Sequence, residues 1–271
     1  MKTDCHAHVI DPERFPYIQA GGYIPKENET GTAAEYRLVL KKNDMGRGLL
    51  VQPSCYAFDN SAMLDATAQD PQNLRGIAVV DLSVTAEQAA QLKEQGVVGV
   101  RLNVGSFDPK FFERPEAGRF VKKVAEFGWF LQVYASASAW QTFGAMFLGS
   151  DVRLIIDHMG HPDVAAPTTQ PGFAMVKRIG RQTNAVVKLS DAFRLSREQY
   201  PHKDVDRYAT EVLEAFGVDR CLWGSDWPFI NRSYDVKYEE QYACFMRWVT
   251  SPADRDKILS ANPARLFGFE T

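Results

Sequence analysis

Residues 152–190 read VRLIIDHMGHPDVAAPTTQPGFAMVKRIGRQTNAVVKLS and contain one complete strand–helix–strand unit. The apolar, β-branched runs at 152–157 and 185–190 have the length of buried strands. The segment 172–182 repeats apolar residues at the three- and four-residue spacing of an amphipathic helix. Strands joined through a crossover of this length pair in parallel, so the stretch predicts an α/β fold.

The same unit repeats along the chain. Strands are predicted at 3–9, 47–52, 74–80, 97–102, 129–134, 152–157, 185–190 and 220–223. Helices are predicted at 33–42, 61–69, 86–94, 118–126, 139–148, 172–182, 204–216, 239–250 and 253–260. Eight such units in 271 residues predict a single (β/α)8 TIM barrel domain over residues 1–271, since a barrel has about 250 residues. A doubly wound sheet is the competing fold, but no Gly-rich fingerprint follows the first strand.

Two predicted connections are long. The segment 11–32 is rich in Gly, Pro and aromatic residues, and the segment 107–115 contains two prolines. Loops that follow barrel strands lie at the catalytic face, and long irregular loops often form lids. We expect both segments to border the substrate.

The composition is that of an ordinary globular protein, with 45% apolar residues, 24% charged residues and a net charge of −3. This charge gives no electrostatic reason to expect nucleic acid or an anionic membrane as a partner. The four cysteines are scattered, which argues against a disulfide framework and a zinc knuckle. Because no signal-peptide core or long apolar run is present, we expect a cytoplasmic protein.

Histidines and an aspartate lie at the ends of three predicted strands. His6 and His8 are two residues apart in the first strand, so their side chains share a face. His158 ends the sixth strand and Asp226 follows the eighth, at the end of a barrel where catalytic groups lie. The four residues suit two chemistries. They could hold a divalent metal that activates water, or Asp226 could act as a general base while the imidazoles polarise a carbonyl.

Three further residues need an explanation. Arg101 lies in an apolar strand, where a charge requires either an anionic substrate or a buried ion pair. Lys188, in the seventh strand, is expected to form an ion pair inside the barrel and to have no catalytic role. His202 is expected at the surface.

Seven segments together resemble the amidohydrolase superfamily, and within it the branch that contains 2-pyrone-4,6-dicarboxylate lactonase and related sugar-lactone hydrolases. They are DCHAHV at 4–9, LLVQPSCY at 49–56, GVRLN at 99–103, IIDHMGHPD at 155–163, VVKLSDAFRLS at 186–196, LWGSDWP at 222–228 and NPARLFGF at 262–269.

The resemblance implies metal-free hydrolysis of a cyclic ester. His6, His8 and His158 would surround the lactone carbonyl, and Asp226 would deprotonate the attacking water. The resemblance also implies a shell that binds substrate anions, formed by Arg101, Arg194, Tyr134, Ser54 and Tyr23.

The sequence departs from this branch and from the metal-dependent members of the superfamily. The lactonase has a further arginine after the fourth strand, where residues 105–110 read GSFDPK. Lys110 is not equivalent to a bidentate arginine, so the substrate stays open between 2-pyrone-4,6-dicarboxylate and a sugar-acid lactone. The fifth strand has no histidine and the fourth ends in Arg101 instead of a bridging lysine, which argues against a binuclear metal site.

We therefore predict a lactonase that needs no cofactor, acts in aromatic or sugar-acid catabolism and has a small anionic lactone as its partner. An arginine beside a divalent cation is electrostatically costly. A single metal ion such as zinc, held by His6, His8, His158 and Asp226, nevertheless stays open. So do a lactone isomerase of the galactarolactone type, a mononuclear metal-dependent hydrolase or decarboxylase, and a catalytically inactive binding protein. The sequence is compatible with a monomer and with a homo-oligomer.

Overall fold

The computed structural model describes residues 1–18, 22–104 and 110–270. None of the helices in these ranges combines the length and apolar character needed to cross a bilayer. All four cysteines are buried and free.

Eight parallel strands form one sheet in the order in which they occur along the chain. They are β1 (Thr3–Ala7), β2 (Arg47–Val51), β3 (Leu74–Ala78), β4 (Val97–Asn103), β5 (Phe130–Tyr134), β6 (Arg153–Ile156), β7 (Val186–Leu189) and β8 (Cys221–Trp223). A parallel bridge between Ala7 and Trp227 joins β1 to the segment after β8. The sheet therefore closes into the predicted barrel, and a doubly wound sheet is excluded.

The helices follow the strands as the spacing of apolar residues predicted. They are α1 (Ala33–Lys42), α2 (Ser61–Gln69), α3 (Ala86–Glu94), α4 (Pro115–Glu126), α5 (Ala137–Phe143), α6 (Pro171–Gln182), α7 (Ala192–Leu195), α8 (Asp206–Phe216), α9 (Tyr238–Trp248), α10 (Pro252–Asp256) and α11 (Asn262–Phe267). The short helix α7 and the terminal α11 were not predicted, because each is too short to show a period.

Local residue chemistry fixes several helix starts. The Thr32 hydroxyl accepts from the Glu35 amide and the Glu35 carboxylate accepts from the Thr32 amide, which is a capping box for α1. Thr85 and Gln88 form the same arrangement at α3. α4 and α6 start with Pro115 and Pro171, since a first helical residue needs no amide hydrogen.

The lower half of the barrel interior is apolar. Its cluster consists of Cys5, Leu49, Val51, Ile77, Phe130, Ile155, Val186, Leu222, Phe267 and Phe269. Gly99 makes room for Phe130, because a Cβ at position 99 would lie 2.5 Å from the Phe130 carbonyl oxygen. With the amino end filled in this way, the polar interior is confined to the carboxyl ends of the strands.

Candidate active site

The meeting of β1 with the segment after β8 brings three predicted site residues together. The Asp226 amide donates to the His6 carbonyl at 2.8 Å, and the His8 amide donates to the Trp227 carbonyl at 2.8 Å. This close approach needs Gly224, because a Cβ there would lie 2.5 Å from the His6 Cβ. The imidazoles of His6 and His8 are buried, with ring centroids 5.1 Å apart.

Asp226 lies in a tight turn held from below. Its φ is +64°, in the left-handed region that non-glycine residues seldom adopt. The preceding Ser225 donates its amide (2.9 Å) and its hydroxyl (2.6 Å) to the buried carboxylate of Asp4, and Tyr238 donates to the same carboxylate at 3.1 Å. These bonds fix the turn, so the Asp226 carboxylate points back over the strands.

The Asp226 carboxylate is the centre of the cluster. Its Oδ1 lies 3.2 Å from His8 Nε2 and 3.5 Å from His6 Nε2, and its Oδ2 accepts from Arg194 Nη2 at 2.8 Å. Burial raises the pKa of Asp226, but the His8 hydrogen bond and the Arg194 charge outweigh it and hold that pKa well below its usual range. Asp226 is therefore a carboxylate at neutral pH.

His158 projects from the turn 157–160 after β6 and has a φ of +48°. Its Nδ1 lies 2.9 Å from the Ser190 hydroxyl, and its ring centroid is 4.6 Å from that of His6. Burial is the main cause that lowers the pKa of both rings, well below 6.5 for His158 and to about 3 for His6. Both imidazoles are therefore neutral at pH 7.

A buried polar layer lies directly under the histidines. Asp157 accepts from the Gln132 side chain at 2.9 Å, and its carboxylate oxygens lie 3.4 Å from Lys188 Nζ and 3.3 Å from Arg101 Nε. Lys188 also donates to the Gln132 amide oxygen at 2.7 Å. The predicted ion pair of Lys188 inside the barrel is confirmed, and Arg101 has a buried carboxylate partner.

This layer contacts the Nδ1 atom of His6. That atom lies 3.2 Å from Lys188 Nζ and 3.3 Å from Asp157 Oδ1. If Lys188 donates to Nδ1, the ring carries its hydrogen on Nε2. If Nδ1 donates to Asp157, the Nε2 lone pair is free. Within the described part of the chain, Nε2 is buried without a hydrogen-bond partner, so the layer below determines what His6 offers to the cavity above.

The donor set fits one divalent cation. His6, His158 and Asp226 each offer one ligand atom, and these atoms lie within 4.8 Å of one another. His8 Nδ1 donates to the Val51 carbonyl at 2.7 Å, and its Nε2 lies 3.2 Å from Asp226 Oδ1. Neutral imidazoles and a carboxylate are the ligands that zinc takes in catalytic sites.

A small cavity of about 90 Å³ opens above these groups. Eight of the nine predicted site residues line it: His8, Tyr23, Ser54, Arg101, Tyr134, His158, Arg194 and Asp226. The ninth, His6, is fully buried beneath it. The lining also includes Asn103, Ile230 and Asn231, which were not predicted from the sequence.

Arg194 is engaged with the protein by all three of its nitrogens. It donates to Asp191 (3.0 Å) and Asp226 (2.8 Å), and its Nη1 donates to the Ile230 carbonyl at 3.0 Å. Its side chain is 19% exposed, on the cavity side. Arg194 thus orients the Asp226 carboxylate, in addition to placing a positive charge at the cavity wall.

The long first loop folds over the site through a residue that was not predicted from the sequence. The buried Glu29 carboxylate accepts from the Tyr23 hydroxyl at 2.6 Å, from the Lys26 amide at 3.0 Å and from the Arg232 amide at 3.3 Å. The segment 11–32 therefore borders the cavity, as predicted, although its residues 19–21 lie outside the described residues. Residues 107–109 of the second predicted loop, 107–115, also lie outside them.

The two remaining histidines differ in their surroundings. His161 touches the Tyr134 ring edge-on at 5.3 Å, and its buried Nε2 lacks a hydrogen-bond partner among the described residues. His202 is fully buried, so its predicted surface position is wrong. It packs against Tyr234, and its Nδ1 donates to the Glu198 carbonyl at 3.0 Å.

Comparison with known proteins places these features in a family. The family model described as Amidohydrolase matches residues 3–269. A 2-pyrone-4,6-dicarboxylate hydrolase of Comamonas testosteroni is 30% identical over 98% of this chain and 89% of its own length. A 4-sulfomuconolactone hydrolase of Rhizobium radiobacter is also 30% identical, with the same two coverages.

The fold also matches that of a solved structure. The crystal structure of a probable 2-pyrone-4,6-dicarboxylic acid hydrolase from Acinetobacter baumannii, with citric acid bound, superimposes with a TM-score of 0.87. It is 28% identical, and the match covers 99% of each chain.

Proposed function

The chain belongs to the amidohydrolase family, and we propose that it opens the ester ring of a small carboxylated lactone by adding water to the carbonyl. The observation that carries the proposal is the Asp226 carboxylate. It lies beside the neutral imidazoles of His6 and His158, on the wall of a cavity that also exposes the Arg101 and Arg194 guanidinium groups. Both curated relatives named above act on anionic lactones, and the related crystal structure holds a tricarboxylic acid.

The arginines would bind the carboxylate of the substrate. Arg101 is 7% exposed and stands 5.3 Å over the Tyr134 ring, which leaves its guanidinium at the floor of the cavity. A guanidinium fork matches carboxylate geometry and forms charge-assisted hydrogen bonds. Ser54, Tyr134 and Tyr23 line the same cavity with hydroxyl groups, and we assign them to substrate oxygens.

The chemical step would start at the lactone carbonyl. If Ser190 donates to His158 Nδ1, His158 carries its hydrogen on Nε2. From Nε2 it donates a hydrogen bond to the carbonyl oxygen of the lactone. Asp226 takes a proton from water as the water oxygen bonds to the carbonyl carbon. The bond to the ring oxygen then breaks, and that oxygen receives the proton that Asp226 took from water, which restores the carboxylate and gives a ring-opened hydroxy acid or its keto form.

Substrate binding would also make Asp226 a stronger base. In the structure Arg194 holds Asp226 as an ion pair, and a carboxylate with a low pKa is a weak base. A substrate carboxylate beside Arg194 shares its positive charge, which raises the pKa of Asp226. The base thus becomes stronger only when an anionic substrate is in place.

A divalent cation, held by His6, His158 and Asp226, would polarise the carbonyl and the attacking water. We retain metal-free catalysis as the prediction, because Arg101 and Arg194 already place positive charge at the cavity. The single-domain organisation over residues 1–271, a cytoplasmic location and the absence of nucleic-acid and membrane partners also stay predictions. The oligomeric state stays open.

The test is a panel of lactones with product analysis. The purified protein is incubated with 2-pyrone-4,6-dicarboxylate and with sugar-acid lactones, and products are identified by mass spectrometry and NMR. We expect a product heavier than the substrate by one water molecule. A product of equal mass would establish a lactone isomerase instead, and a product lighter by carbon dioxide would establish a decarboxylase. Binding without turnover across the panel would contradict the proposal.

The metal question is settled on the same samples. Metal content is measured as purified, and turnover is compared before chelation, after chelation and after zinc is added back. Turnover that survives complete removal of metal supports the metal-free prediction. Turnover that is lost and then restored by zinc overturns it.

A further inference from the structure

A second cavity adjoins the catalytic cavity between the carboxyl ends of β3 and β4. Its volume is about 330 Å³, and it shares Arg101 and Asn103 with the catalytic cavity. The rest of its wall is mostly apolar and includes Phe58, Val79, Leu82, Val104 and Phe111. We call it the side cavity, and all of these walls belong to the described part of the chain.

Two of its walls leave apolar surface exposed to water. Phe58 is 60% exposed and Leu82 is 37% exposed, and they are two of only seven large apolar side chains that are exposed among the described residues. Exposed apolar surface that lines a concave site next to a catalytic centre is typical of ligand-binding surfaces.

The loops that carry these side chains are fixed by hydrogen bonds. The Asn60 side chain pairs with Val79 in both directions at 2.9 Å, which holds the turn of Phe58 against the end of β3. Lys123 on α4 donates to the Leu82 carbonyl at 2.8 Å. Phe111 packs on Phe120 of α4. These contacts hold the parts of the wall formed by Phe58, Leu82 and Phe111 in place.

The lining of the side cavity includes one positive and one negative side chain. The Arg101 guanidinium stands at the inner end. The Asp81 carboxylate lies on the wall, where Ser83 donates its amide (2.8 Å) and its hydroxyl (2.6 Å) and lowers the pKa of Asp81. Asp81 would repel a second carboxylate of a substrate but not an uncharged group, and the Lys123 ammonium nearby offsets part of this repulsion.

We infer that the side cavity is a subsite for a neutral, apolar substituent on the lactone ring, while the substrate carboxylate stays on Arg101. This inference rests on the proposed lactone chemistry. An apolar pocket of about 150 Å³ accepts benzene, so the side cavity has room for a phenyl ring or a short alkyl chain. The favoured substrates are then monocarboxylated lactones with an alkyl or aryl side group.

The test uses three carboxylated lactones that differ only in one ring substituent: hydrogen, propyl or carboxyethyl. One added methylene in an apolar pocket changes kcat/KM by about tenfold or more. We expect kcat/KM for the propyl lactone to exceed that of the unsubstituted lactone by at least about tenfold. The carboxyethyl lactone should fall below the propyl lactone, and Asp81→Asn should narrow that gap.

Substitutions in the wall of the side cavity test whether the preference for the propyl lactone arises there. Phe58→Ser and Leu82→Ser should each lower the ratio of kcat/KM for propyl over unsubstituted lactone by about three- to tenfold. Leu38→Ser is the matched control, because Leu38 is 67% exposed on α1 and should leave the ratio as it is. A wild-type ratio of one or less, or a ratio that both serine variants retain, overturns the subsite.

A failure of the proposed lactone chemistry can be distinguished from a failure of the subsite. If none of the three lactones is opened, the proposed function is wrong for this series. The subsite is then judged from dissociation constants of the matching cycloalkanone carboxylates, which keep the carbonyl but have no ester bond. The subsite is overturned if the propyl compound binds no more tightly than the unsubstituted one, or if both serine variants keep the wild-type preference.

Discussion

The two ends of the barrel use the same residue types for different purposes. At the amino end, Arg47 and Arg75 stack over Phe269 at 5.2 and 4.8 Å, and Arg153 stacks over Phe130 at 3.8 Å. Their nitrogens donate to backbone carbonyls of the C-terminal segment, at Glu270, Gly268 and Leu266. These contacts are made to rings and backbone carbonyls, not to a side-chain carboxylate, although Arg75 also lines a surface cavity at this end.

At the carboxyl end, Arg101 also stacks over an aromatic ring, that of Tyr134. Its partner, however, is the buried Asp157 carboxylate, and Arg194 is paired with Asp226 and Asp191. An arginine bonded to fixed carbonyls closes a surface, whereas one bonded to a carboxylate beside a cavity can exchange that partner for an anion. An arginine in a barrel strand therefore indicates function only when its partners are known.

The largest effect is expected at the carboxyl end. Asp226→Asn should lower kcat by about 10²–10⁴-fold, which is the contribution of a general base. The protein should stay folded, but its melting temperature should fall, because the buried Arg194 loses a charged partner. Steady-state kinetics on the best lactone of the panel check this. Asp44→Asn is the control, because that carboxylate is 88% exposed. Full activity in Asp226→Asn would exclude the mechanism.

A substitution at the amino end should lower the stability of the protein and leave its activity unchanged. Phe269→Ala should lower the free energy of unfolding by about 3–5 kcal/mol, because it removes a buried ring from the base of the core. The kcat of the folded fraction should be unchanged. Denaturant titration and kinetics measure the two quantities, and Leu38→Ala is the exposed control. A loss of kcat without a loss of stability would contradict the division between the two ends.

A third prediction concerns a titrating group at the carboxyl end. Burial and the nearby Arg194 charge lower the pKa of His161 to about 4 from the ordinary value of 6.5. Below pH 6.5 the unfolded chain binds a proton there that the folded chain does not. The free energy of unfolding should therefore fall as the pH falls from 6.5 to about 4, by about 3 kcal/mol in total.

His161→Asn should remove this part of the pH dependence, and asparagine tolerates the φ of +49° at that position. Denaturant titrations of both proteins at several pH values provide the comparison, with Phe269→Ala expected to keep the wild-type slope. Equal slopes in the wild type and His161→Asn would show that position 161 does not carry the effect.

The smallest effect is expected for an arginine at the amino end. Arg75→Met should cost about 0.5–1 kcal/mol, the contribution of a partly exposed cation–π contact, and should leave kcat/KM unchanged. Arg194→Met should instead lower kcat/KM, and it should also cost more stability than Arg75→Met, because it leaves the buried Asp191 and Asp226 carboxylates without their cationic partner. Thermal unfolding and kinetics on both variants measure these differences. Similar kinetic losses in the two variants would remove the distinction between the arginines.

Much of the fold could be predicted from the sequence because the signals are local. The period of apolar residues in 172–182 and the β-branched runs beside it give strand–helix–strand without any tertiary information. The clustering of His6, His8, His158 and Asp226 also followed from the sequence, because the carboxyl ends of barrel strands meet at one face. His202 was misplaced, since a single polar residue between helices carries no periodic signal of burial.

The partners of these residues could not be predicted. Asp157 adjoins His158 in the chain, yet its contacts with Gln132, Lys188 and Arg101 join four different strands or strand ends. Glu29, which holds Tyr23 at the cavity, lies in an irregular loop with no pattern to mark it. Such contacts depend on the register and tilt of strands far apart in sequence.

The sequence by itself determined the barrel, the face on which chemistry occurs and the residue types that reach it, because each of these follows from periodicity and from the order of strands. Only the tertiary structure decided that Arg194 clamps Asp226, that a buried carboxylate and ammonium lie under His6, and that an apolar side cavity adjoins Arg101. The physical reason is that hydrogen bonding and desolvation act over a few ångströms, and those distances are set only when the eight strands close.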